Sequence, residues 1–358
     1  MSQGAAGGES SEPTADAQTP LARSTGRAAL LASVAAFLAG TLSAMQSRVN
    51  GTLAEVFHAP IDAALWSFGS GWVLLTLGLL LPSARAGLRS AYRAYRAQHL
   101  TWWQFLGGMF GGFFVAAQTW SVPQIGVAMF TIAIVGGQTL NAMLVDGLGL
   151  GPAGKAPVTL ARVLGALGTF VGVAIAMVGR GADGSGVILV PVLFAVAAGA
   201  GMAVQQAING RVNRHTDQVL ATTWVNFSWG LPLLLGIALA QLAQGTWRAP
   251  MTLDAPAWAW MGGVVGIVYI AIGATVVHHL GVLLAVLFTL AGQLIGAVVI
   301  DLVSSGQGQV PTLVLVGVAV TLLSAVFAAA AARRARRREH AESASSPGRV
   351  VSPPSSAP

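Results

Sequence analysis

The sequence predicts an all-α integral membrane protein of ten transmembrane helices, arranged as two inverted five-helix repeats. Three observations carry that expectation. Only 9% of the 358 residues are charged and 54% are hydrophobic, whereas an average soluble domain carries roughly 25% charge. So few charges cannot cover a water-facing surface. The apolar residues fall in runs close to the ~20 that a helix needs to cross ~30 Å of hydrocarbon. The chain also repeats itself. Ala39-Gly40, Ala44, Gln46, Asn50-Gly51, Phe68 and Gly71 recur 159 residues later as Ala198-Gly199, Ala203, Gln205, Asn209-Gly210, Phe227 and Gly230. A second block, Gly107-Gly108, Gly111, Gly126, Gly137-Gln138 and Asp146, recurs 155 residues later as Gly262-Gly263, Gly266, Gly281, Gly292-Gln293 and Asp301. The change of spacing falls in the polar stretch at 85–98, where an insertion is tolerated.

Residues 1–27 hold Gly, Ala, Ser, Thr and Glu with little to bury and read as a disordered cytoplasmic tail. The first repeat, 28–180, contains apolar runs at 28–48, 61–82, 102–121, 125–147 and 159–179. The second, 187–332, contains runs at 188–209, 219–243, 256–277, 280–303 and 312–332. Backbone polar groups in lipid must be satisfied within the protein. Runs such as 73–81 lack the alternation of a barrel strand, so all ten are expected to be helices. The first run follows Arg23 and Arg27 in the manner of a signal peptide. Its copy at 188–209 lies mid-chain, where no signal peptide can be, so the first run is expected to be retained. After the last run, 333–358 begins with the arginine cluster 333–338, expected as an anchor near acidic lipid, and ends in a disordered tail from His340.

Orientation follows from the basic residues. With the amino terminus in the cytoplasm, sixteen of the 19 Lys+Arg fall on inner segments and three, Arg48, Arg180 and Arg248, on outer ones. That bias places both termini inside a cytoplasmic membrane. Five spans is an odd number, so the second repeat starts outside and is inverted.

Composition also excludes. A net charge of +7 and a pI near 11.2 would point to nucleic acid in a soluble protein, but here the arginines sit between apolar runs, and no nucleic-acid partner is expected. With no cysteine there is neither a disulfide nor a thiolate metal site. The glycine pattern at 149–154 matches a dinucleotide loop yet follows a membrane run and carries Pro152, outside the strand–turn–helix context that gives the pattern meaning. No cofactor, no metal and no catalytic constellation is expected, and His278-His279 has no neighbouring carboxylate in sequence.

The two openings, Ala39 through Gly51 and Ala198 through Gly210, share the pattern Ala-Gly-x-x-x-Ala-x-Gln-x-x-x-Asn-Gly, followed later by Gly-Gln with an Asp eight residues on. This pattern resembles the drug/metabolite transporter superfamily, and within it the YdcZ-type inner-membrane exporters, over roughly 28–332. Small members carry one such unit, so the chain looks like a fused form. The resemblance implies transport of small metabolites or drug-like compounds, in the direction of export, by alternating access between the repeats. It names no substrate. A channel or scaffold is the alternative, although a channel would more naturally use a ring of subunits than an inverted intramolecular repeat. Partners would be the lipid bilayer and a small-molecule substrate, with the chain a monomer or a homodimer.

Polar side chains inside a bilayer are costly and therefore informative. Gln46 and Asn50 stack on one helix face, as do Gln205 and Asn209; they either bind a polar substrate or clamp one helix to another. Gln138 and Gln293 fall near the middle of their runs, where transporters hold substrate, and Asn141 faces the same way as Gln138. Lining a cavity and joining helices are both open to them. Asp146 and Asp301 are the paired acids at span ends, either interfacial anchors, with Asp146 pairing to Arg162, or proton carriers. The pairs Gly107/Gly111, Gly108/Gly112, Gly168/Gly172 and Gly262/Gly266 are expected to let helix backbones approach closely.

Overall fold

The computed structural model describes residues 26–151, 154–155, 158–181, 188–216, 218–304 and 310–345, and every regular element among them is a helix. In chain order these are α1 (Gly26–Phe57), α2 (Pro60–Gly78), α3 (Pro82–Arg96), α4 (Gly107–Leu148) and α5 (Leu160–Gly181), then α6 (Leu189–Thr216), α7 (Val219–Ala243), α8 (Gly262–Ser304) and α9 (Thr312–Ser345). Short 3₁₀ turns, Trp102–Leu106 and Ala257–Met261, lead into α4 and α8. Pro60 and Pro82 open α2 and α3, at a position where the missing N–H has no intrahelical partner to lose.

The polar stretch at 85–98 is not a loop. It forms α3, which turns 101° away from α2 and buries Ala84, Gly87, Ala91 and Ala94. Its end is a Schellman motif: Gln98 takes φ 60°, its N–H donates to the Tyr95 carbonyl, and the His99 N–H donates to that of Ala94. At the other end of the chain, α9 runs on to Ser345, past the expected boundary at 332. The Ala- and Arg-rich sequence there has high helix propensity, so the helix continues past His340, where a disordered tail was expected to begin. The remaining tail residues, 1–25 and 346–358, lie outside the described residues.

Among the described residues seven helices are long and apolar enough to cross a membrane, or eight with α2 and α3 taken as one bent pair. Ten runs were expected; the difference arises because α4 and α8 each hold two of them. The 42 residues of α4 would reach about 63 Å if straight, twice a bilayer core. They are not straight. Pro123 removes a backbone donor, and Gly126 takes φ 76° and ψ 168°, a conformation open to glycine and foreign to a helix. Before the break α4 descends along α6: Gly107 lies against Ile208 and Asn209, Gly111 against Gln205, and the Ser121 hydroxyl donates to the Pro191 carbonyl. After it the chain climbs the same helix. The Asn141 amide donates to the Ala200 carbonyl at 2.7 Å, and the Arg211 guanidinium reaches the Gly149 carbonyl. The chain therefore reverses within α4.

In α8 the pattern repeats against α1. Gly262 and Gly266 lie on Asn50 and Gln46, then Ala36 and Ala285 share a buried cluster and Gly296 lies on Thr41. These contacts are reciprocal. Gly107 meets Asn209 as Gly262 meets Asn50, and Gly199 meets the Ile134 carbonyl as Gly40 meets that of Thr289. On the remaining sides the equivalent helices meet each other. In the α2–α7 pair, Gly78 faces Leu220 and the Trp72 indole donates to Ser228, so the two run antiparallel. In the α5–α9 pair, Gly165 faces Ala328 and Gly179 faces Leu313, again antiparallel. Gly168 and Gly172 are seated on Ser324 and Thr321, the close approach their spacing predicts.

Candidate functional site

The polar residues of the two copies gather where each opening helix crosses the other copy's hairpin. The crossing is set by Gly137 and Gly292. A β-carbon at either would stand 1.9 Å from a facing carbonyl oxygen, that of Val196 for Gly137 and that of Phe37 for Gly292. No larger residue fits without moving the backbone. Gln138 and Gln293 come next in the chain and are half-buried, so they flank the two crossings.

Gln46 and Asn50 are buried within the seam between α1, α4 and α8. The Gln46 amide donates to the Gly262 carbonyl at 3.0 Å, joining the two copies. Asn50 donates to the Gln118 side-chain oxygen at 2.8 Å, and Gln118 donates to the Ser47 hydroxyl at 2.9 Å. Of the two readings open to Gln46 and Asn50, this geometry is that of a clamp. Gln118, fully buried, was not singled out in the sequence. Its signal was an amide inside an apolar run, but its counterpart is Gly273, so it falls outside the repeat pattern.

The second copy is bonded differently. Gln205 is buried like Gln46, but its amide donates to the Asn226 side-chain oxygen at 3.3 Å, within its own half. Asn226 in turn donates to the Thr222 carbonyl. The counterpart of Asn226 is Ser67, too short to offer that acceptor. The Gln205 carbonyl oxygen and the Asn50 carbonyl oxygen are buried without hydrogen-bond partners, a cost of roughly 1–3 kcal/mol each where no partner forms. Asn209 is half-buried with its oxygen over Gly107. The Asn141 amide is engaged by the Ala200 carbonyl.

The paired acids do different things. Asp146 forms an ion pair with Arg162. Asp301, buried, accepts the backbone N–H groups of Val127 and Ala128 at 2.9 and 2.8 Å. Those two donors open the second leg of α4 just after the Gly126 break, where a helix start leaves N–H groups unpaired and carries partial positive charge. An acid from the second copy therefore caps a helix of the first. His279 is exposed at the reversal of α8, and its ring nitrogen meets the Thr275 carbonyl.

The profile of a family described as "Putative inner membrane exporter, YdcZ" matches the chain twice, over 31–175 and again over 190–327. The two matches coincide with the two copies. No curated protein matches the chain. Among solved structures, one titled only as a crystal structure of a protein covers 86% of this chain and 97% of its own at 18% identity, with a TM-score of 0.45. A likeness that loose carries no weight for the fold or the site.

Proposed function

From the premise that the chain belongs to the YdcZ family of inner-membrane exporters, we propose that it is a secondary transporter of small metabolites or drug-like compounds, working by alternating access between two inverted halves. The observation that carries the proposal is the unequal bonding of the two copies. Gln46 ties α1 across the seam to Gly262, while Gln205, the same residue of the second copy, turns to Asn226 within its own half. Alternating access needs two related seams that change in turn, and a glutamine bonded across one seam while its equivalent bonds within one half is a difference of that kind.

In this reading the chain has ten spans. They are the seven long apolar helices, α2 with its bend, the shorter Ala257–Gly273 and the second leg of α4. Equivalent helices that pair antiparallel, as α2 and α7 do, are related by an axis perpendicular to both. For spanning helices that axis lies in the membrane plane, which is the relation between inverted repeats. In this reading both termini are cytoplasmic. Gln138 and Gln293 line the substrate path beside the crossings. Asp301 is the coupling carboxylate, because losing or gaining a proton changes its hold on the helix break, and Asp146 with Arg162 is its counterpart on the other side. The energy comes from an ion or substrate gradient.

Accumulation of a panel of labelled metabolites and fluorescent drug-like compounds tests this in cells with and without the protein. Export lowers accumulation of at least one compound in expressing cells, and Gln138→Leu or Gln293→Leu restores it at unchanged protein level. Unchanged accumulation across the panel, with ion conductance in planar bilayers, would replace the carrier by a channel.

A further inference from the structure

We propose that α3 is a binding surface for anionic phospholipid headgroups on one face of the membrane, a property separate from the transport path and resting only on the membrane reading of the chain. The helix carries Arg85, Arg89, Arg93 and Arg96 and no acid. Its 101° turn from α2 lays it across the direction of the spanning helices, along a bilayer surface. One face is fixed to the protein: a β-carbon at Gly87 would lie 2.7 Å from that of Gln218 and 2.9 Å from that of Ala221, so α3 sits directly on the start of α7.

The rest of the circumference is ordered for an interface. At 100° per residue, Leu88 and Tyr92 flank the packed face, and the four arginines follow on an arc of about 80°. Tyr92 is 62% exposed, and Leu81 just before the helix is 54% exposed. A shallow groove lined by Leu88, Arg89, Tyr92 and Arg93 opens there, pairing apolar and cationic walls. Among the described residues Arg85 reaches the Leu80 carbonyl and Arg93 the Ser90 hydroxyl, both in exposed bonds. No carboxylate among the described residues forms an ion pair with the row. Guanidinium groups match phosphate in charge and geometry, and an amphipathic basic helix with aromatic residues at its edge settles at the headgroup level. The second half has no such element: 244–256 is not helical and carries Arg248 alone among basic residues. The surface therefore serves one leaflet.

The test uses the full-length protein in neutral detergent, reading its melting temperature during titration with phosphatidylglycerol, phosphatidylcholine or inorganic phosphate. Phosphatidylglycerol raises the melting temperature of the unsubstituted protein, and the other two do not. In R85Q/R89Q/R93Q/R96Q the apparent affinity for phosphatidylglycerol falls, on the order of fivefold for each arginine removed. R89Q/R93Q shows an intermediate loss and serves if the fourfold variant does not fold. A response to phosphatidylglycerol unchanged in both variants would assign the lipid to the 333–338 cluster and overturn the proposal. An equal response to inorganic phosphate would overturn it too, in favour of a soluble anion. Because the readout is lipid binding in detergent, neither result bears on transport.

Discussion

Phe68 and Phe227, the same residue of the two copies, stack face to face with ring centroids 4.4 Å apart and planes 22° from parallel. Each ring also covers the other copy's glycine, Phe68 over Gly230 and Phe227 over Gly71. Both rings are buried. A pair that contacts its own equivalent lies on the axis relating the halves, and any change there acts on both halves at once.

The first prediction follows from that position. Phe68→Ala and Phe227→Ala each lose about 3–5 kcal/mol of stability. The double variant loses less than the sum, by about 0.5–1.5 kcal/mol, because the stacked pair can be removed only once. Unfolding of the four proteins in detergent measures the cycle; strict additivity would place the rings apart in the folded protein.

Gln46 and Gln205 should respond unequally although they occupy the same place in the repeat. Gln46→Leu removes the bond to the Gly262 carbonyl that crosses the halves, leaving that buried oxygen short of a donor. Gln205→Leu removes a longer bond within one half. Gln46→Leu therefore raises the cross-linking of reporter cysteines placed to trap the opened α1–α8 seam, severalfold for a loss of about 1 kcal/mol, and Gln205→Leu leaves it near the original level. Equal effects of the two would remove the functional difference drawn between the two glutamines.

Asp301→Asn keeps the size of the side chain but leaves one acceptor where the carboxylate offers two to Val127 and Ala128. One buried N–H then loses its partner, at a cost of about 1–3 kcal/mol, seen as a lower melting temperature. If Asp301 is the coupling group, uptake driven by a pH gradient is lost while substrate exchange persists. Retention of both at normal expression would rule Asp301 out as the coupling group.

Topology is testable without background, since the chain has no cysteine. Arg93→Cys on α3 is labelled by a membrane-impermeant maleimide only after the cells are opened, whereas Arg248→Cys is labelled in intact cells. Labelling at position 93 from outside would overturn the ten-span arrangement.

The sequence by itself determined the solvent, the helical class and the repeat. Nine per cent charge cannot clothe a soluble surface, and the backbone in lipid has few ways to satisfy itself. The recurrence of Gln46 as Gln205 and of Gly137 as Gly292 is visible without coordinates. So was the Asp146–Arg162 pair, because sixteen residues separate them across a single short connection. Tertiary structure alone decided what those residues touch. Repeats fix which positions are equivalent, but partners come from the crossing of distant helices. Gln46 faces Gly262 across 216 positions, and Asp301 faces Val127 across 174. The same separation explains why two equivalent acids differ: Asp146 meets an arginine and Asp301 a helix start. It also explains α3. Its periodicity of small residues became a helix face only because α6 and α7 supply a surface for Ala84, Gly87, Ala91 and Ala94 to cover, and a short amphipathic segment gains most of its helical stability from such packing.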